Sequence, residues 1–143
     1  MATPNISKGL RQYQQVNTQS SVAYASPHRL IQMLMEGAFE RIAVAKGCIQ
    51  RQDIAGKGEQ IGKAIDIVGG LREGLNHDAG GEIAANLDAL YAYLQKRLLE
   101  ANLRSDVAML DEVADLLRPV KEAWDAIGDA PKAEDAAVAD APA

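Results

Sequence analysis

The chain has 143 residues, 48% hydrophobic but only 4% aromatic, and a formal net charge of −5. That length suits one domain with a real core, and an aliphatic, alanine-rich core favours helices over sheet. From Gly128 onward four acids oppose Lys132, a net −3 that leaves the body at −2 with no basic stripe. This excludes the footprint expected for nucleic acid or an anionic membrane surface.

Residues 1–26 read as an arm rather than part of the core. Ile6, Leu10, Tyr13 and Val16 keep helical spacing, but Pro4, Gly9 and many Gln, Asn, Ser and Thr weaken it. A short amphipathic helix is expected there, free to fold onto the body as a lid or to plug one end of it. Ser26-Pro27 then opens the first long helix, with Ser as N-cap and Pro in the first turn. Leu30, Leu34, Ala38, Ile42, Ala45 and Ile49 form its main stripe. Met35 and Phe39 flank that stripe on one side, and Met33, Gly37 and Val44 on the other. Apolar positions thus exceed the ~100° face of an ordinary surface helix.

Asp53 is positioned to cap a second helix, expected from Ile54 to Asn76, with a core face of Ile61, Ala64, Ile65, Val68, Leu71 and Leu75. Gly58, Gly62 and Gly69 share a narrow sector beside that face, and each interior glycine costs ~1 kcal/mol relative to Ala. The resulting trough suits either close packing by another bundle helix or a partner helix laid into it. His77 to Gly81 is expected to turn the chain into a third helix. There Ile83, Leu87, Leu90, Leu94, Leu98 and Ala101 face inward, with Tyr91 beside them. The opposite side is half-apolar, with Ala85, Ala89, Ala92, Leu99 and Leu103. Ser105 is expected to cap the last helix, in which Val107, Leu110, Val113, Leu117, Val120 and Trp124 keep helical spacing. Pro119 should kink or interrupt it.

The expected architecture is all-α: an antiparallel up-down four-helix bundle over 27–127 with a short N-terminal helical arm (1–26). Residues 128–143, almost entirely Ala, Asp, Glu, Pro and Lys, are expected to be a disordered tail. No apolar run approaches the ~20 residues of a membrane helix, so no membrane insertion is expected. A single Cys48, beside the first helix's stripe, suits a reducing compartment, and a cytoplasmic protein is expected.

Catalysis finds little support. His28 and His77 stand at helix or turn ends, paired Glu-x-x-His ligands are missing, and the glycines lie within a helix rather than a phosphate loop. No catalytic residue, metal or cofactor is expected. What the residues do show is surplus apolar surface on the first and third helices. Met33, Met35, Phe39, Ala89, Ala92 and Leu99 are the expected lining of a client site, with the methionines adapting to shape.

Three segments then carry a resemblance: SPHRLIQMLMEGA (Ser26 to Ala38), GGEIAANLDALYAYLQKRLLEAN (Gly80 to Asn102) and LDEVADLLRPVKEAW (Leu110 to Trp124). In this order, with Tyr13 and Val16 before them, they resemble the flagellar export chaperone family FliS. The resemblance implies a helical bundle that holds the unstructured C-terminal segment of flagellin, prevents its premature polymerisation and delivers it to the type III export gate protein FlhA. In some bacteria it also implies contacts with the anti-sigma factor FlgM or the regulator FliW. Met35, where many members carry an aromatic residue, and Pro119, in a stretch usually rich in Leu, depart from the family pattern. The alternative reading from the residues is a structural bundle whose surplus apolar surface makes a homodimer.

Overall fold

A computed structural model describes residues 25–128. Four helices make up this body: α1 (Pro27–Gln50), α2 (Ile54–Glu73), α3 (His77–Arg104) and α4 (Val107–Ile127). α1 packs beside α2 and α4, and α3 packs beside the same two, so α1 and α3 lie on one diagonal of an antiparallel square bundle. The antiparallel sense follows from the polar contacts. His28 at the start of α1 meets Trp124 near the end of α4, and Lys57 early in α2 meets Asn102 late in α3.

Local chemistry sets the boundaries. The Ser26 hydroxyl accepts from the Arg29 amide at 3.0 Å, and Pro27 occupies the first turn. The Asp53 carboxylate accepts from the Gly56 amide at 2.9 Å. Both caps are those expected from the residue types. α2, however, stops at Glu73 instead of reaching Asn76, whose side chain caps α3 by accepting from Ala79 N–H at 3.0 Å. The expected turn at 77–81 is therefore one helical turn closed by a break at Gly81 (φ 53°, ψ −126°), a conformation that favours glycine. Ser105 does not cap α4. It ends α3 in a left-handed conformation (φ 50°, ψ 50°), and Asp106 accepts from the Met109 amide in its place. α4 continues through Pro119 without leaving the helix; the lost amide faces solvent, where Pro119 is exposed.

The largest fully buried side chains, including Met35, Ile61, Leu94, Leu98, Leu110 and Leu117, come from all four helices. Each is worth ~1.5–3 kcal/mol when taken from water. Cys48 is buried and free, as its place beside the stripe suggested. Lys57, only 7% exposed, donates to the Asn102 carbonyl at 2.8 Å and the Ser105 hydroxyl at 2.7 Å. It thereby satisfies a carbonyl at the open C-terminal end of α3 and ties the start of α2 to it. At the other end of the bundle His28 and Trp124 stack with ring centroids 4.8 Å apart. The Trp124 indole N–H donates to the His28 carbonyl at 3.0 Å, and His28 Nε2–H donates to the Trp124 carbonyl at 2.8 Å. This clasp locks the end of α4 to the start of α1. Residues 1–24 of the arm, including Ile6, Leu10, Tyr13 and Val16, and residues 129–143 of the tail lie outside the described residues.

Candidate functional site: two apolar grooves flanking the third helix

The six residues expected to line one client site do not come together. Met35 is 1% exposed, so the expectation that it lines an open groove is corrected. It belongs to the core because α1 turns its Met35–Ile42 edge towards the centre of the square. Phe39 is half-buried on the α1–α4 side, with the Arg118 guanidinium over its ring at 5.7 Å. Met33 is half-buried, on a part of α1 away from that contact. Ala89, Ala92 and Leu99 belong to α3, across the diagonal from α1. An up-down order already implies that first and third helices are not neighbours, a signal in the sequence that points away from a shared groove.

The exposed apolar residues instead follow the two flanks of α3. On the α4 flank the helices are joined near their shared turn. The Tyr93 hydroxyl donates to Glu112 Oε2 at 2.7 Å, and Arg97 Nε–H donates to Glu112 Oε1 at 2.9 Å. These two donors hold the Glu112 carboxyl below the usual carboxylate range, the Tyr93 bond first and the Arg97 bond second. Away from that lock, α4 presents Leu116, Val120, Ala123 and Ile127 at helical spacing. α3 presents Ile83, Leu87 and Leu90 opposite them. Ile83 (71%), Tyr93 (41%), Leu116 (37%) and Ile127 (42%) are exposed, and Leu87, Leu90, Val120 and Trp124 are only half-covered. Ile83 was expected to be buried; it sits two residues past the Gly81 break, at the rim where this groove opens.

On the α2 flank, Gln95 donates to the Ile65 carbonyl at 3.3 Å and stands over Gly69. Together with the Lys57–Asn102 bond this register sets Gly58 and Gly62 opposite the stretch around Leu99. A Cβ at Gly69 would meet Gln95 at 3.0 Å, whereas no described atom lies within 4 Å of a Cβ at Gly58 or Gly62. The trough expected from the three glycines is thus covered at Gly69 and open at the other two. Ile54 (65%), Leu99 (51%) and Leu103 (76%) are exposed along it. Its far end runs into a hollow of about 400 Å³ lined by Gly69, Arg72, Glu73, Leu75, His77, Asp88 and Gln95. Arg72 there is already paired with Asp88 at 2.7 Å.

Among the described residues no three His, Cys, Asp or Glu side chains gather as metal ligands. No described helix is long and apolar enough to cross a membrane. The chemistry on offer is apolar burial along helical grooves.

Comparison with known proteins agrees with the motifs. A family model described as "Flagellar protein FliS" matches residues 9–131. The chain is 54% identical over 120 residues to the flagellar secretion chaperone FliSB of Pseudomonas aeruginosa, covering 84% of this chain and 95% of that one. It is 46% identical over 126 residues to the flagellar secretion chaperone FliS of Salmonella typhimurium (87% and 92% covered). With the FliS of Bacillus subtilis it shares 35% identity over 106 residues (74% and 78% covered).

Proposed function

This chain belongs to the FliS family of flagellar proteins, and on that premise we propose that it is a cytoplasmic, non-enzymatic chaperone of flagellin. Its client is the C-terminal segment of flagellin, disordered before assembly, which folds into an amphipathic helix on the bundle. In that state the segment cannot polymerise, and the complex is handed to the export gate protein FlhA. FlgM or FliW are further partners where the organism uses them.

The observation that carries this reading is the groove between α3 and α4. Leu116, Val120 and Ile127 on one wall and Ile83, Leu87 and Leu90 on the other accept apolar residues at i, i+3, i+4 and i+7 of a client helix. Covering what is still exposed is worth ~2 kcal/mol each for Leu116 and Ile127 and ~3 kcal/mol for Ile83 at ~25 cal/mol per Å². The half-covered residues beneath add more. Ordering the segment takes back ~2–5 kcal/mol, which keeps the complex reversible, as release to the export apparatus requires.

The test is a fluorescence-anisotropy titration of a labelled synthetic peptide spanning the flagellin C-terminal segment. Leu116→Glu with Ile127→Glu should weaken binding at least tenfold while helical circular dichroism is unchanged. Unaltered affinity would remove the α3–α4 groove as the site, and failure of the unmodified chain to bind the peptide would remove flagellin as the client.

A further inference from the structure

The apolar surfaces of α3 and α4 meet in two different ways along their length. Towards the shared turn the seam is sealed: Leu98 and Ala101 are buried, and Met109 is 8% exposed. Away from the turn it is open, with Leu90 and Val120 half-buried and Leu116 and Ile127 exposed. The change falls at the lock formed by Tyr93, Arg97 and Glu112.

Spacing assembles that lock. Tyr93, Arg97 and Glu100 stand four and three residues apart, so they share one edge of α3. Arg97 bridges two carboxylates, Glu100 at 2.6 Å on its own helix and Glu112 at 2.9 Å on α4. Its guanidinium lies 6.0 Å from the centroid of the Tyr93 ring. The ring is therefore anchored at its tip to α4, through the 2.7 Å bond to Glu112, and flanked by the guanidinium. Exposed charge pairs of this kind add little to stability. The buried contacts on the turn side already join the two helices. What the lock adds is an end to the groove, because the seam beyond it is filled by the chain's own side chains.

The open part has a definite length. From Leu116 to Ile127 α4 rises ~17 Å, about three helical turns. We propose that Tyr93, held by Glu112 and Arg97, is a positioning residue that stops the docked client helix, fixing its register and limiting its run on this face to about 12 residues. This rests on the flagellin reading above and adds a gauge to it. The last client side chain packs on the exposed part of the Tyr93 ring, and the client chain leaves the α3–α4 seam there.

The test uses an isotope-labelled C-terminal segment of flagellin from the same organism, bound to the full chain. Hydrogen exchange counts the consecutive protected amides in the run that Leu116→Glu with Ile127→Glu abolishes. A nitroxide on Ala108→Cys, exposed on the turn side of the lock, marks the client residues that approach it; Cys48 is buried and stays unlabelled. With the parent the nitroxide should broaden only the last turn of the run. Tyr93→Ala should lengthen the run by about one turn and carry the broadening one turn further. Glu112→Ala, which frees the ring without removing it, should lengthen the run as well. Glu112→Gln keeps an acceptor for the hydroxyl and should leave the length unchanged. A run of constant length in both alanine variants would overturn the proposal. So would a loss of affinity in them with no shift in register, which would make the lock a staple between helices and nothing more. No protected run with the parent chain would refute the flagellin reading itself and this gauge with it, whereas the other outcomes bear on Tyr93 alone.

Discussion

Tyr91 is a core residue, 3% exposed, and among the described residues its hydroxyl has no hydrogen-bond partner. Burial alone pushes its pKa from 10 up to about 12. A buried hydroxyl without a partner costs ~1–3 kcal/mol, so Tyr91→Phe, which keeps the ring, should stabilise the bundle by ~1 kcal/mol at pH 7. For a domain of this size that is a rise of ~4–8 °C in melting temperature. The pH dependence has a definite sign. The folded state holds the neutral phenol, while the unfolded chain releases its proton near pH 10. The stability tied to this group is therefore complete below pH 10 and is lost as pH rises from 10 to about 12. At ~1.4 kcal/mol per unit, the loss is ~2–3 kcal/mol. The advantage of Tyr91→Phe over the parent should accordingly grow from ~1 kcal/mol at pH 7 to ~3–4 kcal/mol near pH 12. Every other ionisable group is common to both proteins and cancels in the difference. Urea unfolding followed by circular dichroism at pH 7, 9, 10 and 11 measures this. A Tyr91→Phe protein that is less stable than the parent at pH 7, or an advantage that stays flat with pH, would refute the reasoning.

Lys57→Met keeps the apolar stem but removes both hydrogen bonds to the end of α3; it should cost ~1–2 kcal/mol in urea unfolding. Lys57→Arg should recover part of that loss. The arm leaves the body at Ala25, beside the His28–Trp124 clasp and the open end of the α3–α4 groove. If Ile6, Leu10, Tyr13 and Val16 act as a lid on that groove, deleting residues 1–16 should speed association of the flagellin peptide several-fold in stopped-flow measurements. A slower or unchanged on-rate would instead leave Tyr13 as a plug for one end of the bundle.

Much of the architecture was legible because helices are local. Ser26, Pro27 and Asp53 announced two starts through side chains that reach only three residues along the chain. The apolar stripes gave four helices and most of the core. The three motif segments gave the family. Where local reading slipped, a neighbouring residue could do the same task. Asp106 capped α4 in place of Ser105, and Asn76 took the end of α2 as the start of α3.

The proposed client surface was harder to read, for a physical reason. A helix's periodicity gives its apolar arc but not which part of that arc a neighbour will cover. Met35 and Leu99 each lie beside their helix's main stripe, yet one is sealed in the core and the other is half in water. The difference is set by where α2 and α4 stand, which depends on packing among all four helices. Leu116 and Ile127 lie outside the stripe that helical spacing picks out on α4, and the sequence reading missed them. They became a groove only because the Tyr93–Arg97–Glu112 lock joins α3 to α4 near their shared turn and the Gly81 break leaves Ile83 at the far rim. The sequence alone determined the helices, their order and the family. The tertiary structure decided which apolar residues remain uncovered, because that depends on distances between segments far apart in the chain.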